Sequence, residues 1–232
     1  MNGSTNRRNL LLGGLAAGAS LALPARAFGQ SLTEDFDQVF GGAAQSPSPI
    51  APAAPGAASP EYIRRVLEIA ARESQRLGNR LWRRDTVGVA DFALASSRPR
   101  LHFVNLESGK VRSFYVSHGR GSDPEHDGWL KTFSNTPGSL ATSRGAYLTC
   151  EWYNGKYGTS IRLEGLDPDN SHALSRAIVM HPATYADPAM IGKFGKLGRS
   201  EGCFAMAPQQ FSEALWHLSA GRLLFADRIG DA

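Results

Sequence analysis

Cys203 sits in the run Gly198-Arg199-Ser200-Glu201-Gly202-Cys203-Phe204-Ala205-Met206, and it is the residue with the clearest chemical potential. A thiol is a weak nucleophile until it ionises, so it needs a basic or cationic neighbour, often an imidazole, to react near neutral pH. His181 is the natural partner, because it ends the apolar run Ile178-Val179-Met180. The intervening residues 182–197 form a loop that brings both side chains to one cleft and, with Gly192 and Gly195, is a candidate lid. Gly202 lets the backbone turn tightly and expose the sulfur, and amides near Gly202 and Cys203 would face a developing oxyanion. The residue types alone leave other readings open. Cys203 is also compatible with a small buried hydrophobe or half of a disulfide with Cys150, and His181 with a satisfied core histidine.

The elements that must hold this pair are short. Ser59-Pro60-Glu61 reads as a helix start, with Ser59 as N-cap and Pro60 at the first helical position. Ile63, Val66, Leu67, Ala70, Ala71 and Leu77 follow at helical spacing, which predicts an amphipathic helix over 60–77, ending at Gly78-Asn79. Residues 86–92, 101–105, 111–116, 146–153, 160–163, 178–180 and 223–226 read as strands, separated by turns at Glu107-Ser108-Gly109, Pro137-Gly138, Asn154-Gly155 and Asp167-Pro168-Asp169. A helix is expected over 208–220. Many short strands and few helices predict a mainly β (α+β) domain, sandwich-like or barrel-like.

The stretch from His181 to Gly202-Cys203 resembles the His…Ser-His-Gly-Cys pattern of the YkuD-type L,D-transpeptidases, closest to the branch of murein L,D-transpeptidase catalytic domains. Ser117-His118-Gly119-Arg120-Gly121-Ser122, Phe133-Ser134-Asn135 and Gly165-Leu166-Asp167 fit the same branch, and the likeness spans about residues 87–225. The resemblance implies a small β-sandwich-like catalytic domain in which Cys203 attacks a peptidoglycan stem peptide with His181 as base. It implies release of the terminal D-alanine and transfer of the acyl group to an amine on wall or protein. It also implies acylation of the cysteine by carbapenems. The usual histidine two before the cysteine is Glu201, the arginine two after it is Ala205, and Pro182 follows His181. Arg199 is expected to take over the substrate carboxylate, with Ser200, His118 and Glu201 also lining the substrate site. An L,D-carboxypeptidase or amidase with the same pair, a non-catalytic wall-binding module, and a secreted protein stapled by one disulfide remain the competing readings.

Other candidates weigh less. Asp123, Glu125, His126 and Asp127 match no zinc or calcium spacing and read as a solvated loop. Tyr147, Trp152 and Tyr153 are expected in the core or as a cleft wall, Arg144 and Arg162 on the surface, and Asn154-Gly155 as a hairpin turn.

Arg7-Arg8, an apolar run over residues 10–23, Pro24 and Ala25-Arg26-Ala27 form an export signal of twin-arginine type, with cleavage expected after Ala27. An ordinary secretory signal is the alternative, and an uncleaved one would leave a membrane anchor. Residues 28–58, rich in Pro, Ala, Gly and Ser, are expected to be a tether, and residues 59–232 the catalytic domain, in the periplasm or cell envelope. The formal net charge of +4 suits an anionic envelope polymer, and with no Lys/Arg block it gives little ground for nucleic acid. No metal or nucleotide motif is present, so no cofactor is expected, and a monomer is expected.

Overall fold

The helix signal at Ser59-Pro60 operates as its residue types suggest. In the computed structural model, which describes residues 58–230, α1 runs Pro60–Leu77, with the Ser59 hydroxyl accepting the Tyr62 N–H at 3.2 Å. Proline at the first position sacrifices an N–H that has no helical partner anyway. Val66, Ala70 and Leu77 form its buried stripe, packed on Val87, Val89, Val104, Leu148 and Phe225 of the sheet. Tyr62 fixes the helix: its hydroxyl donates to Asp91 Oδ2 at 2.8 Å and lies 2.9 Å from His102 Nε2. The expected signal at 1–27 and the tether, apart from Ala58, lie outside the described residues.

Eight strands follow: β1 Thr86–Asp91, β2 Leu101–Asn105, β3 Val111–Phe114, β4 Gly145–Gly155, β5 Gly158–Gly165, β6 Val179–Pro182, β7 Phe204–Met206 and β8 Leu223–Asp227. They form one mixed sheet in the order β3-β2-β1-β8-β4-β5-β6-β7, in which only β1/β8 and β6/β7 are parallel. The chain just beyond β3 pairs with the outer side of β7. Ser117 N–H donates to Ala205 O at 2.9 Å, Ser200 N–H to His118 O at 2.9 Å, and Arg120 N–H to Ser200 O at 2.7 Å. The two ends of the strand order therefore meet, and the expected sandwich or barrel takes the form of a single sheet curled toward closure.

The two faces of the sheet have separate cores. One is the α1 layer. The other buries Phe92, Phe103, Tyr147, Leu163, Met180 and Phe204 together with Phe211, Ala214 and Leu218 of α3 (Pro208–Leu218). Each such large side chain contributes about 1.5–3 kcal/mol by leaving water. A short α2, Ala189–Phe194, lies within the loop that joins β6 to β7.

Three details depart from expectation. β7 was not foreseen, since three residues are too few for a periodic signal. The strand expected at 178–180 is shifted to include His181 and Pro182. Asn154 and Gly155 belong to paired strand, with Gly155 opposite Gly158, so the hairpin turn is Lys156-Tyr157.

Candidate active site

The parallel register of β6 and β7 sets Met180 beside Phe204 and His181 beside Ala205. Side chains alternate along a strand. Met180 and Phe204 enter the core, so His181, Ala205 and, one residue before β7, Cys203 share the opposite face. Both reactive groups are nearly covered: His181 is 1% exposed and Cys203 7%. Cys203 and Cys150 are both free thiols, so no disulfide blocks the site.

The turn into Cys203 is built by its neighbours. Ser200 Oγ donates to Cys203 O at 2.7 Å and accepts the Gly202 N–H at 3.2 Å. Gly202 has φ 113°, and a Cβ there would lie 2.8 Å from both Ala141 O and Ile178 Cδ1. Both conformation and space thus demand glycine. Gly202 was expected to offer an amide to an oxyanion, but that N–H is taken by Ser200.

Burial pushes the Cys203 thiol up to about 11; the Val179 N–H and the Arg176 charge pull it down, while Glu201 adds to the rise. The sulfur donates to Ala177 O at 3.7 Å. Burial also lowers His181, with a bond to Pro182 O opposing it. That contact, Nδ1 to Pro182 O at 3.1 Å, is to an atom that only accepts, so Nδ1 carries the proton and Nε2 of the neutral ring is the basic nitrogen. Both shifts favour the uncharged forms, a neutral thiol and a neutral imidazole.

The other anticipated residues serve different purposes. His118 was expected to face the substrate, but its ring is 1% exposed. Arg100 Nη2 lies 2.7 Å from its Nδ1, and Asp123 Oδ2 3.3 Å from its Nε2, so both nitrogens are occupied inside the protein. Arg199, assigned to the substrate carboxylate, directs Nη1 at the backbone carbonyls of Asp123 and Pro124 instead. Glu201 is exposed and pairs with Arg120 at 2.9 Å. Ser200 is buried and shapes the turn. The loop at 123–127 is less solvated than its composition implies. Asp123 accepts the N–H groups of Asp127 and Gly128, and His126 Nε2 lies 3.1 Å from Leu197 O. No cluster of three or more His, Cys, Asp or Glu side chains among the described residues is arranged to hold a metal.

Three residues near the pair were missed. Tyr157, at the hairpin turn, stacks on His181 with ring centroids 4.3 Å apart, and Tyr185 meets the same ring edge-on at 6.4 Å. Arg176 lies beside Gly202. Tyr157 followed an Asn-Gly pair that drew attention as a turn, and nothing in the local pattern marked the other two.

A family model described as L,D-transpeptidase catalytic domain matches residues 59–226. No curated protein matches. Among solved structures, an L,D-transpeptidase from Mycobacterium smegmatis matches at 16% identity and TM-score 0.38, over 62% of this chain and 58% of that one. L,D-transpeptidase 3 from Mycobacterium tuberculosis, in complex with a faropenem-derived adduct, matches at 15% identity and TM-score 0.41, over 62% of this chain and 60% of that one. The helical cell shape determining protein of Campylobacter jejuni matches at 14% identity and TM-score 0.39, over 71% and 56%. The chain thus spans less than two thirds of the length of each.

Proposed function

This chain belongs to the L,D-transpeptidase catalytic-domain family, and from that premise we propose that it is an exported cysteine acyltransferase of the cell envelope, acting on peptidoglycan stem peptides through a Cys203 acyl-enzyme. The observation that carries the reading is the placement of Cys203 and His181 on one face of the parallel pair β6/β7, with a glycine-dependent turn behind the sulfur.

In the first half-reaction His181 Nε2 takes the thiol proton as the sulfur attacks the stem carbonyl. The carbonyl oxygen gains the negative charge, and with the Gly202 amide already occupied by Ser200, the Cys203 N–H is the backbone donor we assign to it. Collapse expels the terminal amino acid, whose amine takes the proton from His181, and leaves a thioester. In the second half-reaction an acceptor amine gives its proton to His181, attacks the thioester and restores the thiol. Water in place of the amine gives the L,D-carboxypeptidase outcome with the same residues.

Intact-mass measurement after incubation with a carbapenem, on the wild type and on Cys203→Ala, tests the nucleophile. A stoichiometric adduct that disappears in the variant supports the reading, and its absence on reduced, folded protein counts against it. Product masses with and without an added amine then separate transfer from hydrolysis.

A further inference from the structure

Arg176 precedes β6 and lies outside the Cys/His motif. Its Nη1 donates to Ser134 O at 2.7 Å, and its Nη2 to Ala141 O and to Ser139 Oγ, the latter at 3.3 Å. These bonds strap the segment 134–141 to the turn that carries the nucleophile. A Cβ built on Gly202 would lie 3.3 Å from Nη2 and 2.8 Å from Ala141 O, so guanidinium, strap and turn are in mutual contact. All three acceptors are neutral, and among the described residues Arg176 forms no salt bridge with a carboxylate. Its positive charge is therefore uncompensated by any ion pair in this part-buried place, where screening by solvent is reduced.

The backbone on both sides of the contact is strained. Ala177, next to Arg176, has φ 54°, and Leu140, on the strapped segment, has φ 56°. Left-handed backbone is disfavoured at non-glycine residues because Cβ crowds the following carbonyl oxygen. Such strain persists where surrounding contacts over-determine the geometry, commonly at functional sites. Here it aims the Ala177 carbonyl at the Cys203 sulfur. The groups around that sulfur are the Val179 N–H, Glu201, Arg176, Tyr147 and Tyr185, with His181 on the same face. Of these, Arg176 alone is a permanent cation.

We propose that Arg176 is the electrostatic positioning residue of this site: it holds segment 134–141 against Gly202 and supplies the positive charge that favours the Cys203 thiolate. The proposal rests on the reading of Cys203 as nucleophile.

The test measures the rate of iodoacetamide alkylation of Cys203 against pH, in the full chain carrying Cys150→Ala, alongside thermal unfolding. Arg176→Gln removes the charge and is expected to raise the alkylation midpoint by about one pH unit. Arg176→Lys keeps the charge but cannot make all three bonds, so it is expected to keep the midpoint and lower the melting temperature. An unchanged midpoint in Arg176→Gln, or equal rises in both variants, overturns the proposal. Should Arg176→Gln not fold, Arg176→Lys carries the test alone: it keeps the charge, so its alkylation midpoint must stay where it is in the wild type even if its melting temperature falls, and a rise of about one pH unit there overturns the proposal. A midpoint that moves as expected in a protein that no carbapenem acylates would sink the functional reading and leave the electrostatic role standing.

Discussion

Tyr157 lies nearly flat on His181, with an interplanar angle of 21°. A residue at the tip of the β4–β5 hairpin thus covers the His181 imidazole. Tyr157 is itself 40% exposed, so the cover is one ring thick. Burial is what lowers His181, and the stack supplies part of that burial. Tyr157→Ala is therefore expected to raise the His181 titration midpoint toward that of an ordinary histidine and to cost about 1 kcal/mol of stability. An NMR pH titration of the imidazole carbon-bound protons checks the first, and an unmoved midpoint would show that other neighbours keep the ring dry.

Glycines around the site differ sharply in what they tolerate. At Gly119 a Cβ would meet Leu140 O at 2.3 Å and the Gly202 backbone at 2.7 Å, whereas at Gly192, within α2, nothing lies within 4 Å. Gly119→Ala is expected to destabilise by about 2–4 kcal/mol and to reduce carbapenem acylation, because the displaced backbone is that of the Cys203 turn. Gly192→Ala is expected to stabilise by roughly 0.5–1 kcal/mol through helix propensity. Urea unfolding of the two variants settles the contrast, and equal effects would refute it.

Removing His118 strands two charges. Arg100, fully buried, keeps its bonds to Val116 O and Leu94 O, but loses the imidazole, as does Asp123. His118→Ala is expected to cost about 2–3 kcal/mol. It should leave the pH midpoint for alkylation of Cys203 where it is. A change in that midpoint without a loss of stability would return His118 to the substrate site.

Stability should fall on both sides of neutrality. Burial lowers His102, His118 and His126 from 6.5 to about 4 each. The unfolded chain then binds more protons than the folded one between those values, so stability is full above pH 6.5 and drains as pH falls toward 4, by roughly 1–3 kcal/mol per histidine. Against the upward push of burial, bonds from His118 and from the N–H groups of Gly128 and Asp127 hold Asp123 low, which extends the loss to more acid pH. On the alkaline side Cys203 rises from 9.0 to about 11. There the folded state holds the extra proton, so its contribution is complete below pH 9 and disappears by pH 11. Urea midpoints across pH 4–10 are the measurement, and Cys203→Ala should flatten the alkaline limb between pH 9 and 10.

Legibility in the sequence followed the physics of each signal. The helix at 60–77 was readable to the residue because an N-cap, a proline and a long apolar period agree there. The long strands were readable from alternation. The Cys/His pair was recognisable as residue types, and the family likeness reinforced it. What failed was long-range. His118 looked like a loop residue because Gly and Ser flank it, and only the fold brings Arg100 and Asp123 to its two nitrogens. Arg199 and Arg176 are alike by type, and which backbone carbonyls each guanidinium meets is set by the fold alone. Tyr157 meets His181 only because β5 pairs with β6.

The bridges from Ser117 and His118 to Ala205 and Ser200 leave β7, the strand entered through Cys203, with a neighbour on either side. A strand of three residues held on one side only has little to stop it sliding by one position. Such a slip exchanges its faces: Phe204 would be turned onto the face of His181 and the sulfur driven in among Met180 and Tyr147. Closure of the sheet therefore acts as a parity lock, deciding which of two adjacent residues shares a face with His181.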